Sequence, residues 1–386
     1  MRTYYMQVTS KMVFKLSLTV VIPLLMAAVF PHHGFCQTQP EGEWAEALQP
    51  RTWNFPRDHG AHPEYQTEWW YFTGNLTDKS GSRFGYQLTF FRFGIRPAMP
   101  MNINPWYLRD LFMGHFAITE EAEDRFRFAE KISRGGPGLA GADKDRMHVW
   151  LFNWSAHMEG STIHLKAEEA PLQIDLELSP LKPLVFHGNN GLSTKGEGTG
   201  QASFYTSFTD LETKGTIRVS KNGPAIAVKG KSWFDQEFGS NQLSEDQEGW
   251  DWFSLHLSDG RDLMVYFIRK KGGLLEPASS GTLVEDDGSS HHLSLQDISL
   301  KVLEEWESPQ SGALYPSQWR ILVPSFGVDL KVTPLIPNQE LITTDSTGIV
   351  YWEGAGQGEG RSNDKQVSFE GYVERTGYAG SIGGIF

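Results

Sequence analysis

The stretch Glu68–Arg92 reads EWWYFTGNLTDKSGSRFGYQLTFFR, and a related stretch, Gly249–Arg269, reads GWDWFSLHLSDGRDLMVYFIR. In each, large apolar residues alternate with small or polar ones on both sides of a short polar turn, which predicts a β-hairpin. Trp69 aligns with Trp250, and both hairpins end in an arginine. Because the copies lie about half the chain apart, we interpret them as the mark of a duplicated β domain. A chance likeness between two aromatic hairpins is the alternative.

Tight turns between apolar runs predict strands in the rest of the chain. Asn222–Gly223, Asp259–Gly260 and Asp287–Gly288 each separate two such runs, and Asn-Gly or Asp-Gly pairs favour two-residue hairpin turns. No stretch has the period of a long amphipathic α-helix. Regular short strands joined by tight turns indicate an all-β sandwich or barrel. Within the first hairpin, apolar residues alternate up to Phe90 and then continue from Phe91 in the opposite register, which predicts a β-bulge.

The composition fits this fold and excludes several classes of protein. The 386 residues carry a formal net charge of −13 and include 13 tryptophans. This acidity argues against a nucleic-acid-binding face, and the composition excludes a coiled coil, a disordered chain and a polytopic membrane protein. The polar segment Ser240–Glu248 separates two aromatic regions. We place the domain boundary there, which predicts an N-terminal domain at 37–240 and a C-terminal domain at 241–386.

The first 36 residues have the pattern of a secretory signal peptide. Two lysines precede an apolar run, Leu16–Phe30, that is short for a membrane span of about 20 residues. We predict cleavage after Cys36, a secreted or periplasmic mature protein without cysteine, and no stable transmembrane anchor after processing. A lipidated Cys36 is an alternative, but such signals have a small residue in the position that Phe35 occupies. An uncleaved anchor is another alternative.

The segment Trp233–Gly239, which reads WFDQEFG, holds the candidate acids. Residues two apart on a strand share a face, so Trp233, Asp235 and Glu237 are predicted to point together into a barrel. Burial raises the pKa of a carboxyl group, and a neighbouring carboxylate raises it further. An acid that keeps its proton near neutral pH could protonate an alkene or an ether oxygen while the other carboxylate directs a water. In the alternative, structural interpretation, both carboxylates bind backbone or arginine at a strand end.

Aromatic side chains on the predicted strands supply a candidate ligand wall. Consecutive aromatics such as Trp69, Trp70 and Tyr71 must face both sides of a strand, so one set lines a barrel and the other packs outside it. Packing between the two halves is the competing interpretation. Familiar nucleophile, zinc and phosphate-binding motifs do not occur, so we predict no metal and no cofactor. The predicted ligand-binding residues are Trp69, Trp70, Tyr86, His115, Tyr205, Trp233, Trp250 and Trp252.

Several motifs together resemble the AttH-like, carotenoid 1,2-hydratase-related family of secreted predicted hydrolases. They occur in the family's order between about Trp53 and Tyr378, and they read DHGAHPEYQTEWWYFTGNL, HFAIT, SWFDQEFG, GWDWFSLHLSDG and YWEGAG. The resemblance implies two lipocalin-like β-barrel halves and apolar ligands such as carotenoid or terpenoid chains. It also implies that Asp235, within the motif that carries the carboxylate of the related hydratases, is the first choice for the acid.

Two classes of function follow from these observations. The first is a secreted hydratase or hydrolase that protonates an apolar, isoprenoid or lipid-like substrate with Asp235, assisted by Glu237. The second is a non-catalytic periplasmic carrier of such a ligand, or an accessory protein of an envelope transport complex. The feature that discriminates them is whether Asp235 and Glu237 point into a closed cavity or into a salt bridge.

Overall fold

The computed structural model describes residues 42–97 and 107–383. The predicted signal peptide and Cys36 lie outside the described residues. The described part is built from β-strands and contains four single-turn 3-10 helices at Arg57–His59, Glu121–Glu123, Leu295–Asp297 and Pro324–Phe326. Among residues 42–97 and 107–383, none of the helices has the length and apolar character required to cross a bilayer.

The first sheet holds thirteen antiparallel strands in the order β4-β3-β2-β1-β13-β12-β9-β8-β7-β6-β5, with β10 and β11 paired to β12. Its strands are β1 Thr67–Asp78, β2 Arg83–Gly94, β3 Asp110–Glu120, β4 Arg125–Arg134, β5 Ala140–Ala142, β6 His148–Leu151, β7 Trp154–Glu159, β8 Thr162–Glu169, β9 Leu172–Pro180, β10 Val185–Phe186, β11 Leu192–Thr194, β12 Ala202–Arg218 and β13 Ile226–Gly239.

The second sheet holds eleven strands in the order β18-β17-β15-β14-β24-β23-β21-β20-β19, with β16 paired to β15 and β22 paired to β23. Its strands are β14 Gln247–Leu257, β15 Asp262–Lys270, β16 Leu274–Leu275, β17 Ser280–Val284, β18 Ser290–Ser294, β19 Ser299–Glu307, β20 Leu314–Val323, β21 Val328–Pro334, β22 Glu340–Thr343, β23 Ile349–Ser362 and β24 Lys365–Arg375.

The two sheets repeat one strand order, and each curls into a barrel-like half. In both, the first strand of the aromatic hairpin lies between its hairpin partner and the last strand of the sheet: β1 between β2 and β13, and β14 between β15 and β24. Trp69 and Trp250 fall on these equivalent first strands, opposite Phe91 and Ile268. The predicted all-β fold of two barrel halves is therefore confirmed, and the three predicted hairpin turns each join neighbouring strands.

Alternate residues of the central strands face different cores. Trp70 and Phe72 pack into the interior of the first barrel, whereas Tyr71 belongs to a separate cluster between the two sheets. The predicted bulge in β2 is wrong, because β1 and β2 pair without a register shift over their whole length. Phe90 faces the barrel and Phe91 faces the other side. Both faces of β2 pack against other parts of the protein, so apolar side chains occur on both faces. The change from Phe90 to Phe91 therefore needs no bulge.

The two barrel interiors are filled by side chains, and the halves meet along their central strands. The Asn75 side-chain amide donates to the Gly371 carbonyl at 2.9 Å across this contact. A Cβ atom built on Gly85 would lie 2.5 Å from the Cβ of Ala355, so glycine is needed for β2 to approach β23. The halves therefore pack closely at one end of their contact, and the site described next lies between the same central strands.

Candidate active site

A cavity of about 100 Å³ lies between the two sheets, on the faces that point away from the barrel interiors. The volume is the space open to the centre of a water molecule, and one bound water needs roughly 10–15 Å³ in that measure. The cavity therefore has room for several waters or for part of an apolar ligand. Aromatic side chains cover much of its wall, and its titratable groups other than tyrosine are Asp235, Glu237, Glu353, Glu374, Lys195 and His115.

Asp235, on β13, is buried, and three neutral donors hold its carboxyl group. Its Oδ2 accepts a hydrogen bond from the Tyr205 hydroxyl at 2.6 Å, whereas Oδ1 accepts from Trp233 Nε1 at 2.5 Å and from Ser207 Oγ. Burial raises the pKa of Asp235 to about 7 against the effect of these donors, and the charge of Glu237 adds to the rise. Because Oδ1 already accepts two donors, the acidic proton belongs on Oδ2, beside the cavity-lining Tyr205.

Glu237, two residues along the same strand, forms a buried ion pair. Its Oε1 lies 2.9 Å from Lys195 Nζ and also accepts a hydrogen bond from Ser203 Oγ. Burial opposes the charge of Lys195, but Glu237 and Tyr266 outweigh it, so the pKa of this lysine is raised. The ammonium also lies over the rings of Tyr205 and Tyr266, at 5.0 and 4.2 Å. Asp235 thus has neutral hydrogen-bond partners, and Glu237 has a cation.

A histidine behind the cavity wall orients the hydroxyl that binds Asp235. His187 Nε2 lies 2.6 Å from Ser207 Oγ, and its Nδ1 lies 2.8 Å from Thr282 Oγ1 of the second half. Because Ser207 donates its proton to Asp235, its oxygen accepts from His187 Nε2. Burial lowers the pKa of His187 to about 3, so the ring is neutral. No sequence motif marks this histidine, because the connecting segment between β10 and β11 brings it to the site.

The second half supplies a carboxyl group at the position equivalent to Asp235. Tyr71 is the register partner of Asp235 in the first sheet, and Trp252 is the partner of Glu374 in the second. Trp250 Nε1 donates to Glu374 Oε2 at 2.7 Å. Burial raises the pKa of Glu374 to about 7 against this hydrogen bond, and the charge of Asp235 contributes to the rise. Two acids with pKa values near neutrality therefore line the cavity from opposite halves.

Glu353 lies on β23 directly opposite Glu374 and is 1% exposed. Neither of its carboxyl oxygens has a hydrogen bond of good geometry to the described residues. Burial, followed by the charge of Glu374, raises its pKa well above the usual range, although the hydroxyls of Tyr71 and Tyr351 partly offset the effect. Burial therefore favours the neutral, carboxylic acid form of Glu353.

His115 completes the wall next to Tyr351. Its Nδ1 lies 2.7 Å from the Tyr351 hydroxyl and its Nε2 lies 3.0 Å from Ser346 Oγ. Burial lowers the pKa of His115 to about 3. The ring is therefore a neutral hydrogen-bonding group that joins the two halves, and a charged proton carrier is not formed at neutral pH.

The structure brings most of the predicted residues together, but between the barrels and not inside one. Asp235 and Glu237 line the cavity together with five of the predicted ligand residues, Trp69, His115, Tyr205, Trp250 and Trp252. Trp70 and Tyr86 do not line this cavity, because their side chains pack into the interior of the first barrel. Trp233 lies behind the wall and positions Asp235. In residues 42–97 and 107–383, no group of three or more His, Cys, Asp or Glu side chains could hold a metal ion.

The chain belongs to the AttH-like family, whose model matches residues 46–378. Its structure is similar to that of an AttH protein from Nitrosomonas europaea, at 33% sequence identity and a TM-score of 0.77, covering 86% of this chain and 99% of that one. It also has the fold of kievitone hydratase from Nectria haematococca, at 17% identity and a TM-score of 0.64, covering 87% of this chain and 97% of that one. Comparison with curated proteins finds no match.

Proposed function

We propose that the protein is a hydratase that adds water to, or removes it from, an unsaturated apolar substrate, with Asp235 as the general acid. The observation that carries the proposal is a buried carboxyl group with a pKa of about 7 at the wall of an aromatic cavity. A general acid works best when its pKa lies near the working pH. The hydratase named above has the same fold, and this likeness supports the proposal.

In the proposed reaction, the proton on Asp235 Oδ2 passes to one carbon of the substrate double bond, and the other carbon becomes cationic. The π electrons form the new C–H bond, and Asp235 becomes a carboxylate. Trp69, Trp250 and Trp252 line the cavity, and aromatic ring faces stabilise a nearby cation. Water then forms the C–O bond and gives up one proton. Elimination follows the same steps in reverse.

The hydrogen bonds around Asp235 suit this role because they hold the carboxyl group in place without a charged partner. Tyr205, Trp233 and Ser207 all donate to its oxygens, and His187 holds Ser207 from behind. Such preorganised donors stabilise the carboxylate that forms when the proton leaves. Glu237 differs, because its partner is the cation Lys195 at 2.9 Å.

The substitution Asp235→Asn tests the proposed function. Purified protein is incubated with isoprenoid and lipid extracts in oxygen-18 water, and mass spectrometry detects products that gain one labelled water. Asp235→Asn keeps the shape and removes the acid, so labelled product should fall by about 10²–10⁴-fold. Asp175→Asn is the matched control, because Asp175 lies on the exposed outside of the same half. Full activity in Asp235→Asn removes this residue from the mechanism, and a ligand bound without labelled product favours the carrier function.

We also propose that the protein is exported to the periplasm or secreted, where an envelope transport complex is a candidate partner. The support is the sequence pattern of residues 1–36, in which two lysines precede the apolar run Leu16–Phe30. N-terminal sequencing of secreted material should place the mature terminus near Gln37. A lipid on Cys36 would show that the protein is anchored.

A further inference from the structure

We propose that Glu374 is the second catalytic group of the cavity, the base that takes the proton of the attacking water opposite Asp235. This assignment rests on the proposed hydratase function and replaces Glu237, the choice made from the sequence. It comes from the equivalent positions of Asp235 and Glu374, from the hydrogen bonds that each carboxyl group makes, and from the neutral acid beside Glu374.

The two carboxyl groups occupy matching places in the two halves. Each lies on the last strand of its sheet, opposite an aromatic residue of the first hairpin strand: Asp235 opposite Tyr71, and Glu374 opposite Trp252. Both line the cavity. A substrate between the halves therefore has one acid on each side. This arrangement suits hydration, because one carboxyl group can deliver a proton to carbon while the other takes the proton of the attacking water.

The hydrogen bonds of Glu374 leave it able to accept a proton. Within the described part of the chain, the one hydrogen bond that its carboxyl group makes is from Trp250 Nε1 to Oε2. Its Oε1 therefore keeps its lone pairs for a water molecule. Glu237 differs, because its Oε1 already binds Ser203 and Lys195. A proton added to Glu237 would break the buried ion pair with Lys195.

The groups around Glu374 hold its pKa close to neutral pH. Burial raises its pKa to about 7, and the charges of Asp235 and Glu237 on β13 add to the rise. Glu353 faces it from β23, and burial raises the pKa of Glu353 well above its usual range, which favours its neutral form. Near neutral pH, therefore, Glu374 can take a proton and release it again.

The proposed cycle balances protons across the cavity. Protonated Asp235 gives its proton to carbon, and water adds to the resulting cation. The O–H bond of that water breaks as its proton passes to Glu374, so hydration ends with an Asp235 carboxylate and a protonated Glu374. Transfer of one proton from Glu374 to Asp235, through water in the cavity or through solvent, restores the starting state.

Infrared spectroscopy of the full-length mature protein without ligand provides the first test. The carboxylic acid C=O absorption is followed through a pH titration in wild type, Glu374→Gln and Asp235→Asn. Glu370→Gln is the control, because Glu370 lies on the same strand with a half-exposed side chain. We expect Glu374→Gln to remove one component that titrates near neutrality, and Asp235→Asn to remove another and to lower the pKa of Glu374 by removing a like charge. Unchanged absorption in Glu374→Gln overturns the proposal, whatever Asp235 does.

Activity provides a second test once a hydrated product is found. A base must be ionised, so wild-type kcat should fall as the pH drops below about 7, the pKa of Glu374. Glu374→Gln should lose that acidic limb and about 100-fold or more in kcat with little change in KM. Glu237→Gln should keep the limb but move it to lower pH, because the charge of Glu237 contributes to the raised pKa of Glu374. If Glu374→Gln keeps wild-type kcat while Asp235→Asn is inactive, Glu374 is not the base and the hydratase proposal survives. Unfolding of Glu374→Gln would be caught by circular dichroism, and Glu374→Asp, which keeps a carboxylate, should then retain the limb.

Discussion

The barrel interiors and the space between them are built from opposite faces of the same strands, yet they differ in chemistry. In β1, Trp70 and Phe72 belong to a large cluster of buried apolar side chains that fills the interior of the first barrel. The alternate residues Trp69 and Tyr71 line a cavity that also holds four carboxyl groups and a lysine. Close packing without charge stabilises a fold, whereas buried charge costs stability. The barrels therefore provide stability, and the contact between them provides the candidate site.

The largest loss of stability is expected from replacing Trp70, and a much smaller loss from replacing its neighbour Trp69. Trp70→Ala empties part of the first barrel interior, where the side chain is 1% exposed, and should lower the free energy of unfolding by about 3–5 kcal/mol. Trp69→Ala should cost only about 1 kcal/mol, because Trp69 is half-buried at the cavity wall, and should mainly weaken ligand binding. Denaturant unfolding measures both. Equal losses would show that the cavity face contributes as much stability as the barrel interior.

A somewhat smaller effect is expected at the ion pair. Lys195→Met removes the cation and leaves the charge of Glu237 buried, which should lower the free energy of unfolding by about 3 kcal/mol. The double variant Lys195→Met with Glu237→Gln removes both charges and should recover much of this loss. A double-mutant cycle measured by denaturant unfolding gives the coupling. Additive losses would mean that the two charges act independently.

The pH dependence of stability tests whether Asp235, at the cavity face, has a raised pKa in the folded protein. The pKa of Asp235 is 3.8 in its reference state and about 7 in the fold, so the folded protein binds the proton more tightly than the unfolded chain. The contribution of Asp235 is therefore full below about pH 4, falls as the pH rises to about 7, and is constant above it. The free energy of unfolding of wild type minus that of Asp235→Asn should fall across this window. A flat difference would show that Asp235 is ionised throughout.

The smallest expected effect concerns a single hydroxyl. Tyr205→Phe removes the donor to Asp235 Oδ2, and because that hydrogen bond lowers the pKa of Asp235, the pKa should rise further. The alkaline limb of the pH–rate profile should move up by at most about one pH unit. Phe91→Leu, an apolar change in the same cavity wall, should leave the limb in place. A downward shift for Tyr205→Phe would mean that Tyr205 does not stabilise the Asp235 carboxylate.

Part of the site could be predicted because strand periodicity is local. The WFDQEFG motif placed Asp235 and Glu237 on one face, and both line the cavity. Glu374 was missed, although aligning Tyr372–Arg375 with Trp233–Gln236 through the duplication would have found it. Lys195 was missed because it reaches the site from a connecting segment between β11 and β12. No period or motif marks such a residue.

The all-β fold, the two equivalent halves and the hairpin turns can be predicted from the sequence alone, because alternation and turn residues act over a few positions. The shared face of Asp235 and Glu237 can be predicted in the same way. Which face of each strand becomes the barrel interior depends on the tertiary structure. Residues such as Trp70 and Tyr71 are apolar on both faces of a strand that is covered on both sides, so the pattern is the same for either choice. The packing of one half on the other then decided that the acids meet in the space between the barrels.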